Sequence, residues 1–93
     1  MGITSFKYRV DIYFPMRGLE SMGDRDFEDV LEISASRVRQ GAICNIFLEK
    51  KSKLDYHYTV FRDPSGKIIA STGKKQYIVR VDPLSKKYCL IEI

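Results

Sequence analysis

The chain is predicted to be an α+β domain, an antiparallel β-sheet carrying one amphipathic helix, and three observations predict it. Apolar and polar residues alternate with period 2 along most of the 93 residues, the pattern of strands with one buried face. One stretch, residues 24 to 41, instead gathers its apolar residues on a single helical arc. Asp63-Pro64-Ser65-Gly66 supplies hairpin chemistry, with Pro64 presetting φ and Gly66 accepting the positive φ that ends such a turn.

The first element is a strand in which Phe6, Tyr8, Val10, Ile12 and Phe14 alternate with Lys7, Arg9, Asp11 and Tyr13, and Pro15 stops the pairing. Met16 to Gly23 reads as a loop, with Gly18 and Gly23 as its flexible points. Residues 24 to 40 read as a helix. Phe27, Val30, Leu31, Ala35 and Val38 share one arc, Asp24 stands at the N-cap, carboxylates crowd the first turn, Arg37 and Arg39 sit in the last, and Gly41 follows as the C′ glycine. Leu31, Ile33 and Ala35 also alternate with Glu32, Ser34 and Ser36 as a strand would, so capping and dipole decide for the helix. Strands follow over residues 42 to 50, 54 to 62, 67 to 81 and 87 to 93, and polar turns at Lys50-Lys51-Ser52-Lys53 and Pro83-Leu84-Ser85-Lys86 separate them. In the second of these strands Leu54, Tyr56, Tyr58 and Val60 form the buried side, with His57 opposite. Thr72-Gly73-Lys74-Lys75 is either a hairpin turn or a bulge within one long strand. The order is β-α-β-β-β, in one domain spanning residues 1–93.

Composition, 44% hydrophobic and 30% charged, is that of an ordinary globular domain. No apolar run approaches the roughly 18 residues of a membrane span, and MGITSFKYRV has no signal-peptide apolar core. The expected location is cytoplasmic, with no membrane partner. Cys44 and Cys89 lie far apart in apolar surroundings, outside any metal or redox spacing, and read as buried thiols. No cofactor or metal site is expected.

The net charge of +4 is unevenly spread. Six carboxylates fall between Glu20 and Glu32 against Arg25 alone, whereas Lys50 to Lys87 holds ten Lys or Arg against three Asp. The basic part can attract phosphates of a nucleotide-bearing small molecule or of nucleic acid; equally, its lysines can be solvated turns and outer faces. Six tyrosines and five phenylalanines interleave with cations, as in FKYRVDIYF and KKQYIVR. Single-strand binders use such surfaces, yet strand alternation with aromatics inward and cations outward yields the same pattern, so nucleic acid is possible but not favoured.

FKYRVDIYF, the acid-x-x-Gly stretch Glu20-Ser21-Met22-Gly23 before the helix, and YHYTVFRDPSGKIIASTGKKQYIVRVDPLSKK together resemble the opening strand, pre-helix motif and last strands of hotdog-fold acyl-CoA thioesterases. A second alignment places YRVDIYFPMR and FEDVLEIS on consecutive strands of that family and leaves Glu20 without a counterpart. The first alignment implies hydrolysis of an acyl thioester in a homo-oligomer, with an acyl-CoA-like ligand. Glu20 would be the base or nucleophile, the Gly23 region would supply oxyanion donors, and Lys74 and Lys75 would meet the coenzyme's phosphates. Glu20 stands where the family has Asp, and the family's Gly-His-Asn sequence is missing. The alternative is therefore a noncatalytic small binding module for a protein, an acyl ligand or nucleic acid. His57, the lone histidine, reads as a surface or edge residue.

Overall fold

In the computed structural model, which describes residues 6–50 and 53–93, the opening alternation is strand β1, Lys7–Phe14, with Val10, Ile12 and Phe14 buried on one side. Pro15 does stop the strand, but it does so inside a tight turn: the Arg17 amide donates to the Phe14 carbonyl at 3.0 Å, and Gly18 takes φ 100°. The expected loop from Met16 to Gly23 is thus mostly a second strand, β2 (Gly18–Arg25), antiparallel to β1. It escapes period-2 reading because it is an edge strand exposed along nearly all its length. Of its residues only Met22 is even half-buried, and pairing is carried by backbone hydrogen bonds, which side-chain pattern does not report.

The ambiguous segment is helical: α1 spans Phe27–Arg39 and buries Val30, Leu31, Ser34, Ala35 and Val38, the expected arc. Its start lies later than Asp24. The N-cap is Asp26, whose side chain makes no capping bond, while Asp24 sits at φ 57° where β2 ends. The C-terminal end is as expected. Gly41 adopts φ 102°, its amide bonds to the Val38 carbonyl at 3.0 Å and that of Ala42 to the Arg37 carbonyl at 3.1 Å, the paired bonds of a Schellman end.

The chain then runs through β3 (Ile43–Lys50), β4 (Lys53–Arg62), β5 (Ile68–Ser71), β6 (Gln76–Val81) and β7 (Tyr88–Glu92). All neighbours are antiparallel, in the order β2-β1-β3-β4-β5-β6-β7. The predicted strand from Lys67 to Val81 is two strands, because Thr72 to Lys75 is a hairpin turn: the Thr72 amide bonds to the Lys75 carbonyl at 3.0 Å and Gly73 takes φ 95°. Asp63-Pro64-Ser65-Gly66 is the β4–β5 turn, where Asp63 Oδ1 accepts from the Ser65 and Lys67 amides at 3.0 and 2.9 Å. Lys51 and Ser52 of the Lys50–Lys53 turn, and residues 1–5 of the N-terminal stretch, lie outside the described residues. The architecture is α+β, with one helix and a seven-stranded antiparallel sheet among the described residues.

One register shift corrects the reading of β4. Ile46 pairs with Tyr58 but Phe47 with Tyr56, so His57 is an extra, bulged residue. Beyond the bulge the side-chain phase reverses. Tyr58 and Val60 point to the helix, whereas Leu54 and Tyr56, expected inside, are 45% and 49% exposed. His57, expected opposite Tyr58, lies with it: its ring is 5.8 Å from that of Tyr8 and 5.9 Å from that of Tyr58.

The core lies between α1 and one face of the sheet, with Val10, Ile12, Leu31, Ile46 and Val60 essentially without solvent contact. Ser34 is buried among them and its hydroxyl finds no partner. Cys44 is buried there too, its thiol 3.9 Å from the Ser34 carbonyl and pushed up to about 11, chiefly by burial. Cys89, expected to be buried, is only half-buried; it pairs with Arg80 on the side of the sheet away from the core. Both thiols are free.

Candidate functional site

Opposite faces of the sheet differ in what covers them. α1 packs across β1, β3, β4, β5 and β7 on one side. No described element lies on the other, and its residues can be read from the register. Leu19 of β2 pairs with Tyr13 of β1, and Tyr13 with Ile43 of β3. Extending the Cys44–Val60 register by one residue sets Phe61 beside Ile43. Phe61 pairs with Ile69, Ile69 with Ile78, and Ile78 with Ile91. One apolar row therefore crosses all seven strands on the outward face. Leu19, Tyr13, Ile43 and Ile91 are 65%, 46%, 43% and 44% exposed, while Ile69, with Phe61 and Ile78 as its register partners, is buried.

A polar row runs beside it, and its groups satisfy one another. Arg9 Nε and the Ser21 hydroxyl both donate to Asp11 Oδ1, at 2.9 and 2.7 Å, and a second Arg9 nitrogen reaches Ser21 at 3.1 Å. The Thr59 hydroxyl donates to Asn45 Oδ1 at 2.7 Å and lies 2.7 Å from the Tyr56 hydroxyl, which reaches the Ser71 carbonyl at 3.3 Å. Tyr56 stacks edge-on against Phe47 with ring centres 6.1 Å apart. Phe47, Tyr56 and Phe61 thus stand outward, contrary to the expectation that alternation turns the aromatics into the core, and Tyr13 joins them on the side where alternation with Phe14 sets it. The sequence signal was there: Ile68-Ile69-Ala70, Tyr77-Ile78-Val79 and Cys89-Leu90-Ile91 are continuous apolar runs, which mark strands with two apolar faces.

The residues singled out for thioester chemistry are not gathered in one place. Glu20 is exposed in the middle of edge strand β2, paired with Ile12. Near Gly23 the backbone is engaged within the chain: the Asp24 amide donates to Glu49 Oε1 at 2.7 Å, and a Cβ on Gly23 would lie 3.1 Å from the other Glu49 oxygen. Lys74 and Lys75 are in the β5–β6 turn, with three strands between β2 and β5, a separation of about 19 Å at usual strand spacing. A cavity of about 300 Å³ opens beside the β1–β2 turn, lined by Phe14, Pro15, Met16, Arg17, Gln40 and Gly41, with the Arg17 guanidinium 4.4 Å above the Phe14 ring. Glu20 does not line it.

The lysine-rich turns do come to one end of the sheet, since β3–β4 and β5–β6 both turn there, but acidic neighbours meet several of the lysines. Lys50 and Lys53 reach Asp55 at 2.8 and 3.9 Å, Lys75 reaches Glu92 at 3.7 Å, and Lys7 of the same end reaches Asp26 at 3.1 Å. The hydrogen bond from Lys50 holds the Asp55 carboxyl below its usual range. At that end, on the helix side, Tyr8, Phe27, His57, Tyr58 and Tyr77 form an aromatic cluster with ring centres 5.0 to 6.0 Å apart. Burial, then the neighbouring phenols of Tyr77 and Tyr8, push the Tyr58 hydroxyl above its ordinary value. Among the described residues no group of His, Cys, Asp and Glu is placed to hold a metal ion, and no helix is long and apolar enough to cross a membrane.

Compared with known proteins, the chain matches no family model, no curated protein and no solved structure.

Proposed function

We propose that this chain is a noncatalytic binding module on a hotdog-like α+β scaffold, working through the outward face of its sheet, with protein as its class of ligand. The apolar row from Leu19 to Ile91 carries this reading. A contiguous apolar row with Leu19, Tyr13, Ile43 and Ile91 exposed, flanked by polar groups already paired, marks a protein interaction surface. The one helix among the described residues, on one face of an antiparallel sheet, supports the hotdog-like scaffold.

Hydrolysis of an acyl thioester draws less support. It needs a carboxylate and oxyanion donors converging on one water-excluding recess, and Glu20 is exposed on an edge strand while the Asp24 amide is held by Glu49. Nucleic acid is also less well supported, because carboxylates meet Lys50, Lys53 and Lys75 at the basic end.

A thiol-release assay over acyl-CoA chain lengths, run with wild type and Glu20→Gln, tests the noncatalytic reading. Neither protein is expected to release thiol above buffer. Release by wild type that disappears in Glu20→Gln would overturn the reading and restore an acyl-CoA ligand. A labelled oligonucleotide followed by anisotropy is the second arm: the expected binding is weak and lost at physiological salt, and submicromolar binding retained there would move nucleic acid to first place.

A further inference from the structure

We infer that the outward face is covered by a second copy of this chain, so that two sheets stack face to face in an isologous sandwich. The inference rests on the binding reading above and names its partner.

Area is the first argument. Seven strands at about 4.8 Å spacing, with three outward levels of residues some 7 Å apart, give a face of about 700 Å². A standard interface takes about 800 Å² from each partner. One face meeting its own copy therefore falls in the range of stable complexes, and stacked sheets of this kind bring outward side chains together across about 10 Å.

Symmetry is the second. An isologous contact requires a surface complementary to itself. A continuous apolar row crossing every strand meets that condition, because the twist of the sheet is the same in both copies. A two-fold axis lying between the sheets, either along the row or along β4 at its centre, returns row onto row. The partner's apolar side chains then fall on this chain's, with Phe61 near the middle.

Charge is the third. The chain as a whole is +4, which would repel a copy, but the middle of this face is locally neutral. Arg9 and Asp11 pair at 2.9 Å, and Asn45, Thr59 and Tyr56 bond one another. These groups enter the interface with partners in place, so covering them strands few polar atoms. Arg80 lies beyond the row at one end of its strand, at the rim, which in interfaces is polar and keeps its contact with solvent.

The competing mode for a second copy is pairing along the exposed edge of β7, Tyr88–Glu92. Ile43 separates the two, because it is outward on β3, with four strands between it and β7's free edge. At 43% exposure it tolerates a lysine without loss of fold, which far-UV circular dichroism and the melting temperature verify.

The test is sedimentation equilibrium of wild type, Ile43→Lys and Ile91→Lys, with Glu20→Gln as a control away from the face. Wild type is expected to be a dimer at about 10 µM. Both lysine variants are expected to weaken it by at least ~100-fold, since each places two unpaired ammonium groups in the contact, and Glu20→Gln is expected to leave it unchanged. A dimer that survives Ile43→Lys overturns the inference in favour of the β7 edge. A monomeric wild type overturns it as well; the binding module then stands if thiol release is absent and falls with it if Glu20-dependent release is found.

Discussion

Leu31→Ala is the sharpest test of how α1 is held. Leu31 is 1% exposed and faces the sheet from the middle of the helix. The substitution removes three carbons at ~0.8 kcal/mol each, about 2.4 kcal/mol of transfer energy. The cavity left behind raises the loss toward about 3 to 5 kcal/mol, because Val10, Ile12 and Ile46 are anchored in the sheet and cannot close it. Against a total stability of about 5 to 14 kcal/mol for 93 residues, that is a large share. The melting temperature falls by roughly 12 to 24 °C for a loss near 3 kcal/mol. Urea unfolding followed at 222 nm measures it, with a lower midpoint at unchanged slope. Glu32→Ala, one residue on and exposed, shifts stability by no more than about 0.5 kcal/mol. A Leu31→Ala loss below about 1 kcal/mol would refute the packing of α1 on this face and return the segment to its strand reading.

Other outcomes follow from single side chains. Ser34→Ala removes a buried hydroxyl without a partner and improves helix propensity, so it stabilises the protein by about 1 kcal/mol in the same urea assay; destabilisation would mean that the hydroxyl is bonded. Asp63 is held below its ordinary value of 3.8, first by the Ser65 hydroxyl and then by the Lys67 and Ser65 amides. A carboxyl so depressed contributes stability that is present above its unfolded value and lost as pH falls through the folded one. Asp63→Asn is accordingly expected to flatten the fall in melting temperature below about pH 4, and an unchanged acid limb would count against the turn. In folded Ile43→Lys, Cys89 reacts with a disulfide reagent while Cys44, buried and with its thiol pushed up to about 11, stays silent until unfolding; equal rates for the two would contradict their placement on opposite faces.

The elements that sequence pattern revealed are those in which packing dictates side-chain type. The alternation of β1, the inner arc of α1 and the Gly41 end are legible because each rests on burial or on a special φ. β2 escapes the pattern because on an exposed edge strand the pairing rests mainly on the backbone, with only Met22 turned toward the core. The phase of β4 was misread because one bulged residue, His57, turns Leu54 and Tyr56 outward while leaving the residues themselves unremarkable. The outward row was hidden for a different reason. On β5 and β6 its members alternate with equally apolar inward residues, so the runs announce two apolar faces without saying which residue lies on which, and the register assigns Ile69 and Ile78 to the far side. Glu20, Gly23, Lys74 and Lys75 came from resemblance rather than from pattern, and the register spreads them across the sheet.

Residue-resolved hydroxyl-radical footprinting across a concentration series tests most directly whether the outward face is the working surface. Tyr13, Ile43, Phe61 and Ile91 are expected to lose reactivity together as wild type assembles. Met16 and Leu84, exposed at 94% and 92% in turns, serve as internal references that do not change. Loss confined to Ile91 and Ile93 near the β7 edge, or no concentration-dependent loss anywhere on the row, would contradict the account.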